Sequence, residues 1–530
     1  MISISPREQA DFRSIPRIVV FFHSCDGRKE SWGILLLTTM TTIKPSQIPD
    51  EIKIISETLE KGGFGAYLVG GCVRDLLIGR APKDWDFTTN ARPEQIQELF
   101  PETFYENDYG TVGVVNETEN ETLKVVEITP YRLEAKYSDS RHPDAVSFSD
   151  TLEDDLKRRD FTINAIAYSV TSGELKDPYG GQEDIKRKSI VAVGDPRERF
   201  EEDALRMLRA IRLSAELQFT IDPKTAEAIA LSASALQKIA KERIRDEFSR
   251  ILHSDNPMHA IAIGQKLGVM RHVAPDIERG IGVEQNQAHT FDVYEHLLRT
   301  MQHGADMKWN FDIRLAGLFH DVSKPETRRW SKEKEDWTFH GHEVVGARVT
   351  KKALQDLKFP KQTIDKIEKL VRWHMFFSDP DKITLSAVRR VIRNVGPENI
   401  WDLLNLRVCD RIGTGRPKAQ PFRLRKYISM VEEALRDPTS VGMLKINGKR
   451  VMEITKEKPG PRIGYILHAL LEEVLDEPKR NTEDYLEKQT LELAELPEKT
   501  LKAHGEEGKE RQEQVEEEAI KEIRKKYHVE

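Results

Sequence analysis

Asp84 and Asp86, two residues apart in the run KDWDF, are the first side chains in this sequence whose type and spacing suggest chemistry. In a strand, side chains two apart point to the same face, so the two carboxylates project into one small volume. Carboxylates that close repel unless a cation lies between them. Mg²⁺ is the hard, oxygen-loving ion that joins carboxylates to nucleotide phosphates, and paired ions of this kind serve in-line displacement at phosphorus. Just upstream, YLVGGCVRD puts Gly70 and Gly71 where backbone amides can approach a triphosphate that a Cβ would obstruct, and Arg74 adds positive charge on the next turn. Glu127, in the strand-like run VVEIT, is the candidate for a third carboxylate. A Gly-Gly pair alone is a turn and an Asp-x-Asp alone a solvated strand end; the ordered set within residues 67–87 is what points to phosphoryl transfer.

Two further segments could hold the rest of a nucleotide. If LEDDLKRRDFTINAIAY is helical, Arg159, Asp160 and Asn164 fall within about one turn of each other, and guanidinium, carboxylate and amide reach one sugar or phosphate. In RFEEDALRMLRAIR, a helix sets Asp203 and Arg206 on one face, with Arg209 and Arg212 continuing the stripe. An Asp accepts from the exocyclic amine of cytosine or adenine while an Arg donates to the adjacent ring nitrogen. Uracil offers a carbonyl where that amine should be and leaves the carboxylate unpaired, at a cost of a few kcal/mol. The same pair therefore suits both CTP and ATP.

These residues need a sheet to carry the carboxylates and helices to carry the arginines, and the pattern supplies both. From Tyr67 to about Val193, short β-rich runs (AYLVGG, WDFTT, TVGVV, LKVVEIT) alternate with helical ones, the mark of an α/β or α+β unit. Beyond it the chain reads as almost wholly helical. The expected divisions are an N-terminal extension at 1–45, with Met40 a possible start, a mixed head at 46–193, helical segments at 194–280, 281–420 and 421–495, and a charged stretch at 496–530 that reads as a solvated helix. At 530 residues, several packed units are expected. Charged residues make up 32% and mean hydropathy is -0.56, against a membrane protein and in favour of a cytoplasmic one. Three scattered cysteines support neither a disulfide framework nor a cysteine zinc site. A net charge of -7 requires any RNA contact to come from a local basic surface.

The helical part holds a second set. HTFDVYEH, LFHDVSK, FHGHE, RWHM and CDRIG contribute His289, His320, Asp321, His342, His374 and Asp410. Neutral imidazoles and carboxylates suit a transition metal, which would acidify a bound water into a nucleophile. The adjacent His-Asp pair flanked by further histidines and a distal Asp resembles the HD phosphohydrolase superfamily.

With GGCVRD, KDWD, RRDFTINA and EDALRMLRAIR in this order, the chain resembles the class II tRNA nucleotidyltransferases, which share ancestry with bacterial poly(A) polymerases. The resemblance covers roughly residues 60–495. It implies a nucleotidyltransferase head of the polymerase-beta type followed by an all-helical neck, HD-like body and tail. It also implies Mg²⁺ on Asp84 and Asp86, with nucleotide contacts from Gly71, Arg74, Arg159, Asp203, Arg206, Arg209 and Arg212. The activity implied is CCA addition to tRNA from CTP and ATP. Poly(A) polymerases tend to carry a glycine followed by basic residues soon after the Asp pair, whereas this chain has YGTVGVVNETEN. TPYRLEAKYSDSRHPD, 129–144, is similar to the flexible loop of enzymes that add all three nucleotides. Poly(A) synthesis, addition of A alone, HD-type hydrolysis and RNA binding without catalysis stand as rivals.

Overall fold

The structure, a computed structural model, describes residues 19–26, 29–36, 42–105, 110–133, 147–286, 289–376, 383–436 and 440–529. Most of the loop expected at 129–144 lies outside them. The chain divides into two compact units, Met1–Val283 with Asp292–Leu315 and Lys351–Ile364, and Glu284–Phe291 with Ala316–Thr350 and Asp365–Glu530. Among the described residues, no helix is long and apolar enough to cross a membrane.

In the first unit, α1 (Asp50–Lys61) buries Ile52, Ile55 and Leu59, one stripe of an amphipathic helix. A seven-stranded sheet follows, built from β1 (Tyr67–Val69), β2 (Asp86–Thr89), β3 (Thr103–Tyr105), β4 (Val112–Val115), β5 (Val125–Pro130), β6 (Ala167–Tyr168) and β7 (Leu175–Lys176) in the order β7-β6-β1-β2-β5-β4-β3. All neighbours are antiparallel except β2 and β5, which run parallel with Asp86 opposite Glu127. The strands alternate as half-buried strands should: in β5, Val126 and Ile128 are buried while Val125 and Glu127 are exposed. Helices α2 (Gly71–Leu77), α3 (Pro93–Leu99), α4 (Leu152–Lys157) and α5 (Gly181–Arg187) accompany the sheet. Gly181 opens α5 with its N–H on Asp177 Oδ1 at 2.7 Å, and a Cβ there would meet the Thr162 carbonyl oxygen at 2.1 Å.

Helices α6 (Pro196–Glu202), α7 (Leu205–Leu217), α8 (Pro223–Ser232) and α9 (Lys241–His253) continue the first unit. Asp195 and Asp222 cap α6 and α8 with their carboxylates, each followed by a proline that pre-sets the first turn. A short parallel pairing of Ser189–Ile190 with Thr220–Ile221 ties the end of α7 back toward the head.

Among its described residues the second unit is helical apart from the antiparallel pair Arg329–Ser331 and Asp336–Thr338. Near its end the helix Pro461–Asp476 packs along Glu498–Lys526. A Cβ on Gly505 would lie 2.6 Å from Tyr465 Cα and one on Gly508 2.1 Å from the His468 carbonyl oxygen. The charged stretch expected as a solvated helix is thus a helix with one buried face, because Gly505 and Gly508, four and seven positions after Leu501, let the backbones approach.

Candidate functional site

The turn between β1 and α2 is built by Gly70, at φ 78° and ψ -137°, a conformation that favours glycine. A Cβ there would stand 3.3 Å from Arg159 Nη1 and 3.6 Å from Asp86 Oδ2, so the bare glycine keeps a guanidinium and a carboxylate close to the turn. Gly71 starts α2. Asp84 does not lie in the strand as the spacing suggests: β2 begins at Asp86, and Asp84 occupies the bend before it. The alternation still holds, with Trp85 buried, Asp86 half-buried and Asp84 exposed. Burial pushes the Asp86 carboxyl up to about 6, with Arg159 pulling it down and Asp84 adding to the rise. Glu127 is the register partner of Asp86 across the parallel pair, with Asp84 two residues before Asp86 and Asp86 itself against the glycine turn. An all-oxygen set with one proton-hungry member fits a hard divalent cation.

The segment after α4 is not one helix. α4 stops at Lys157, and Arg159 to Asn164 run through a turn into a single 3₁₀ turn at Thr162–Asn164. Arg159 donates from Nη2 to Asp155 Oδ2 at 3.0 Å, and Asp155, fully buried, also takes Arg158. Burial alone would raise the Asp155 carboxyl, but Arg159 and Arg158 hold it below the usual carboxylate range. Sequence reasoning missed Asp155, although its spacing of four from Arg159 on an acidic helix was the available signal. Asp160 and Asn164 are buried and form a relay. Arg74 Nη1 donates to Asn164 Oδ1 at 2.8 Å, Asn164 Nδ2 to Asp160 Oδ1 at 3.0 Å, and Arg209 Nη2 pairs with Asp160 Oδ2 at 2.9 Å. Asp160 and Asn164, expected near a ligand, hold two arginines in place.

Asp203 and Arg206 do not share one helix either. α6 ends at Glu202, and Asp203 is extended at φ -145° and ψ 103° before α7 begins. The short Asp side chain competes with helical bonding by accepting the Leu205 N–H at 3.0 Å. Its other oxygen pairs with Arg243 Nη2 at 2.7 Å. Arg206 reaches Glu202 Oε2 at 2.7 Å and the Arg158 carbonyl at 2.9 Å. Arg212 leaves the expected stripe and is held by Glu247 at 2.8 Å and Glu216 at 2.9 Å, an ion-pair centre between α7 and α9.

In the second unit Asp321, His342 and His374 come together with His320 and Asp410 beside them. Asp321 Oδ1 is 3.1 Å from His342 Nε2 and 3.5 Å from His374 Nε2, and Asp321 Oδ2 is 3.2 Å from His320 Nε2. Asp410 Oδ1 is 3.6 Å from His320 Nε2. Each imidazole turns Nδ1 to the carbonyl three residues back: His320 to Gly317 at 2.8 Å, His342 to Phe339 at 2.6 Å and His374 to Val371 at 2.7 Å. On a neutral ring a donor bond there leaves the Nε2 lone pair aimed inward, the arrangement that orients a metal ligand, although against its burial Asp321 and Asp410 push His320 up to about 10. Burial lowers His374 to about 4, keeping it neutral. His289 falls outside the group: its Nδ1 meets Asn286 Oδ1 at 2.8 Å, and its Nε2 is 3.4 Å from Lys324 Nζ. Lys324, missed in the sequence, is buried and 2.5 Å from Asp321.

Comparison with known proteins gives three family matches: "Poly A polymerase head domain" at residues 66–191, "Probable RNA and SrmB- binding site of polymerase A" at 218–281 and "HD domain" at 293–402. A CCA-adding enzyme of Lactobacillus helveticus is 46% identical over 213 residues, 39% of this chain and 52% of that protein. The chain thus spans about half the length of the first curated relatives it matches. An A-adding tRNA nucleotidyltransferase of Deinococcus radiodurans is 32% identical over 77% of this chain and 91% of that protein, and a CC-adding tRNA nucleotidyltransferase of Thermus thermophilus is 32% identical over 77% and 89%. Among solved structures, the Bacillus stearothermophilus CCA-adding enzyme in complex with CTP aligns over 84% of this chain and 98% of its own, at 26% identity and a TM-score of 0.55. Similarity sustained through head and helical parts alike, at the extent seen with the Deinococcus protein, means that this chain belongs to the tRNA nucleotidyltransferase and poly(A) polymerase family.

Proposed function

We propose that the chain adds C, C and A to the 3′ end of tRNA without a nucleic-acid template, taking CTP and ATP and releasing pyrophosphate. The observation that carries this reading is Asp86 set opposite Glu127 and against the Gly70 turn, with Asp84 two residues before it. Relatives named CCA-adding enzymes, 46% and 43% identical over 213 and 220 residues, support it. Asp84 and Asp86, with Glu127 beside them, would hold two Mg²⁺. When bound, these ions lower the pKa of the tRNA 3′ hydroxyl and neutralise charge on the departing pyrophosphate. The protein contributes position and charge. Gly70 and Gly71 admit the triphosphate to the backbone, and Arg74, braced by Asn164, and Arg159 meet its negative charge. Asp203 and Arg206 read the base edge; the amine of cytosine or adenine competes with Arg243 for the Asp203 carboxylate, which uracil cannot do. Helices beyond the head would grip tRNA by backbone and shape.

The test offers each nucleoside triphosphate with Mg²⁺ to tRNA transcripts ending before CCA, after C and after CC, and to an oligo(A) primer. Growth by C, C and A that then stops, reduced at least about a thousandfold by Asp84→Ala, is the expected result. Long A tails would make it a poly(A) polymerase, and A added only to the CC-ended tRNA an A-adding enzyme.

A second reading is favoured by the three Nδ1 bonds that present Nε2 atoms to Asp321: a metal-dependent phosphohydrolase site in the second unit. Its nitrogen and oxygen donors suit a transition metal. A phosphodiester assay showing no metal-dependent turnover would sink it.

A further inference from the structure

The histidine cluster opens into a cavity of about 890 Å³ within the second unit, near the upper end of the size range of small-molecule sites. Its wall carries more positive charge than the cluster needs. The helix Ile400–Gly413 supplies Arg407 and Arg411, four apart and hence on one face, and Arg416 follows it. Arg407, Arg411 and Arg416 all line this one cavity. Arg407 is neutralised by Asp410 at 2.5 Å. Arg411 gives only its Nε to the Lys418 carbonyl, at 2.6 Å, and Arg416 makes no ion pair with any described residue. Like charges held together beside a cavity are costly unless an anion joins them, and guanidinium forks match phosphate oxygens.

We infer that Arg411 and Arg416 form a second phosphate subsite beside the histidine cluster, so that this cavity selects ligands carrying two phosphoryl groups. The inference rests on the second reading above, in which the cluster takes the first phosphoryl group. Arg407, tied to Asp410, marks the boundary between the two subsites. The second phosphate comes either from a pyrophosphate link or from the far side of a ribose, and adenosine diphosphate and adenosine 3′,5′-bisphosphate represent the two sources.

Calorimetry on the full chain with Mn²⁺ tests this, with adenosine monophosphate and inorganic phosphate as single-phosphate probes. At least one two-phosphate probe is expected to bind about tenfold more tightly than the monophosphate, and whichever does identifies the source. Replacing both arginines (Arg411→Ala, Arg416→Ala) should remove that advantage and leave monophosphate affinity within about twofold, while Arg411→Lys with Arg416→Lys restores part of it. Equal affinities in the native chain, or an equal loss for one- and two-phosphate probes in the alanine variant, would overturn the subsite. Asp321→Ala separates the two ideas. Retained arginine-dependent binding of the two-phosphate probes, with single-phosphate binding unchanged, would remove the cluster reading and keep the subsite.

Discussion

At the scale of single residues, the head is held together by carboxylates that do no chemistry themselves. Asp160 joins Arg209 to Asn164 and, through it, to Arg74. Burial by itself would raise its carboxyl, but Arg209 and the Asn164 amide hold it below the usual carboxylate range. The folded state therefore binds the Asp160 proton less readily than the unfolded chain, whose carboxyl titrates near pH ~4. The stabilisation is complete above that pH and is lost as the pH falls through it and below. Asp160→Asn should then lower unfolding resistance at pH 7 and do so by less at about pH 3, as read from urea midpoints of both proteins across that range. A difference that stayed constant or widened toward acid would contradict the account. The same reasoning covers Asp155, shared by Arg158 and Arg159.

At the scale of elements, the entry of α5 shows how little room the head leaves. Gly181→Ala brings a methyl against the Thr162 carbonyl and should cost about 1–3 kcal/mol, read as a lowered thermal midpoint, with nucleotide addition retained below that midpoint. A midpoint equal to the native one would mean that the 3₁₀ turn yields. The elements that sequence exposed best were those with short-range signals. Gly-Gly before a helix, alternation through Trp85 and Asp86, and the β5 pattern around Glu127 are all decided within a few residues. What the sequence hid were partners far along the chain. Arg212 is taken by Glu247 and Asp203 by Arg243, 35 and 40 positions away, and a helical-wheel argument on one segment contains neither. The break at Asp203 is a local competition that residue type hinted at, but the helix period around it masked. The histidines were legible as a set only through resemblance, since His320, His342 and His374 come from separate segments, and His289 fell to Asn286 instead.

At the scale of the whole molecule, every contact proposed for CTP and ATP lies in the first unit, and the Asp321, His342 and His374 group lies in the second. The two chemistries should therefore dissociate by mutation. His342→Ala with His374→Ala is expected to abolish metal retention by the second unit, measured by elemental analysis, and to leave CCA addition within about threefold. Asp84→Ala should do the reverse. Loss of both activities from either variant would refute that independence. With a net charge of -7, contact with RNA must use local patches, and tRNA affinity should still fall with added salt.

The turn at Gly70 also has a meaning in genetics. Its backbone disfavours any side chain, and its missing Cβ faces Arg159 and Asp86 rather than solvent. A randomised codon at that position, put through selection for growth, should return glycine codons alone. At Gly464, where an added Cβ meets nothing within 4 Å, the same library should return many residues. The allele at position 70 is frozen by geometry, and mutational drift through it is closed.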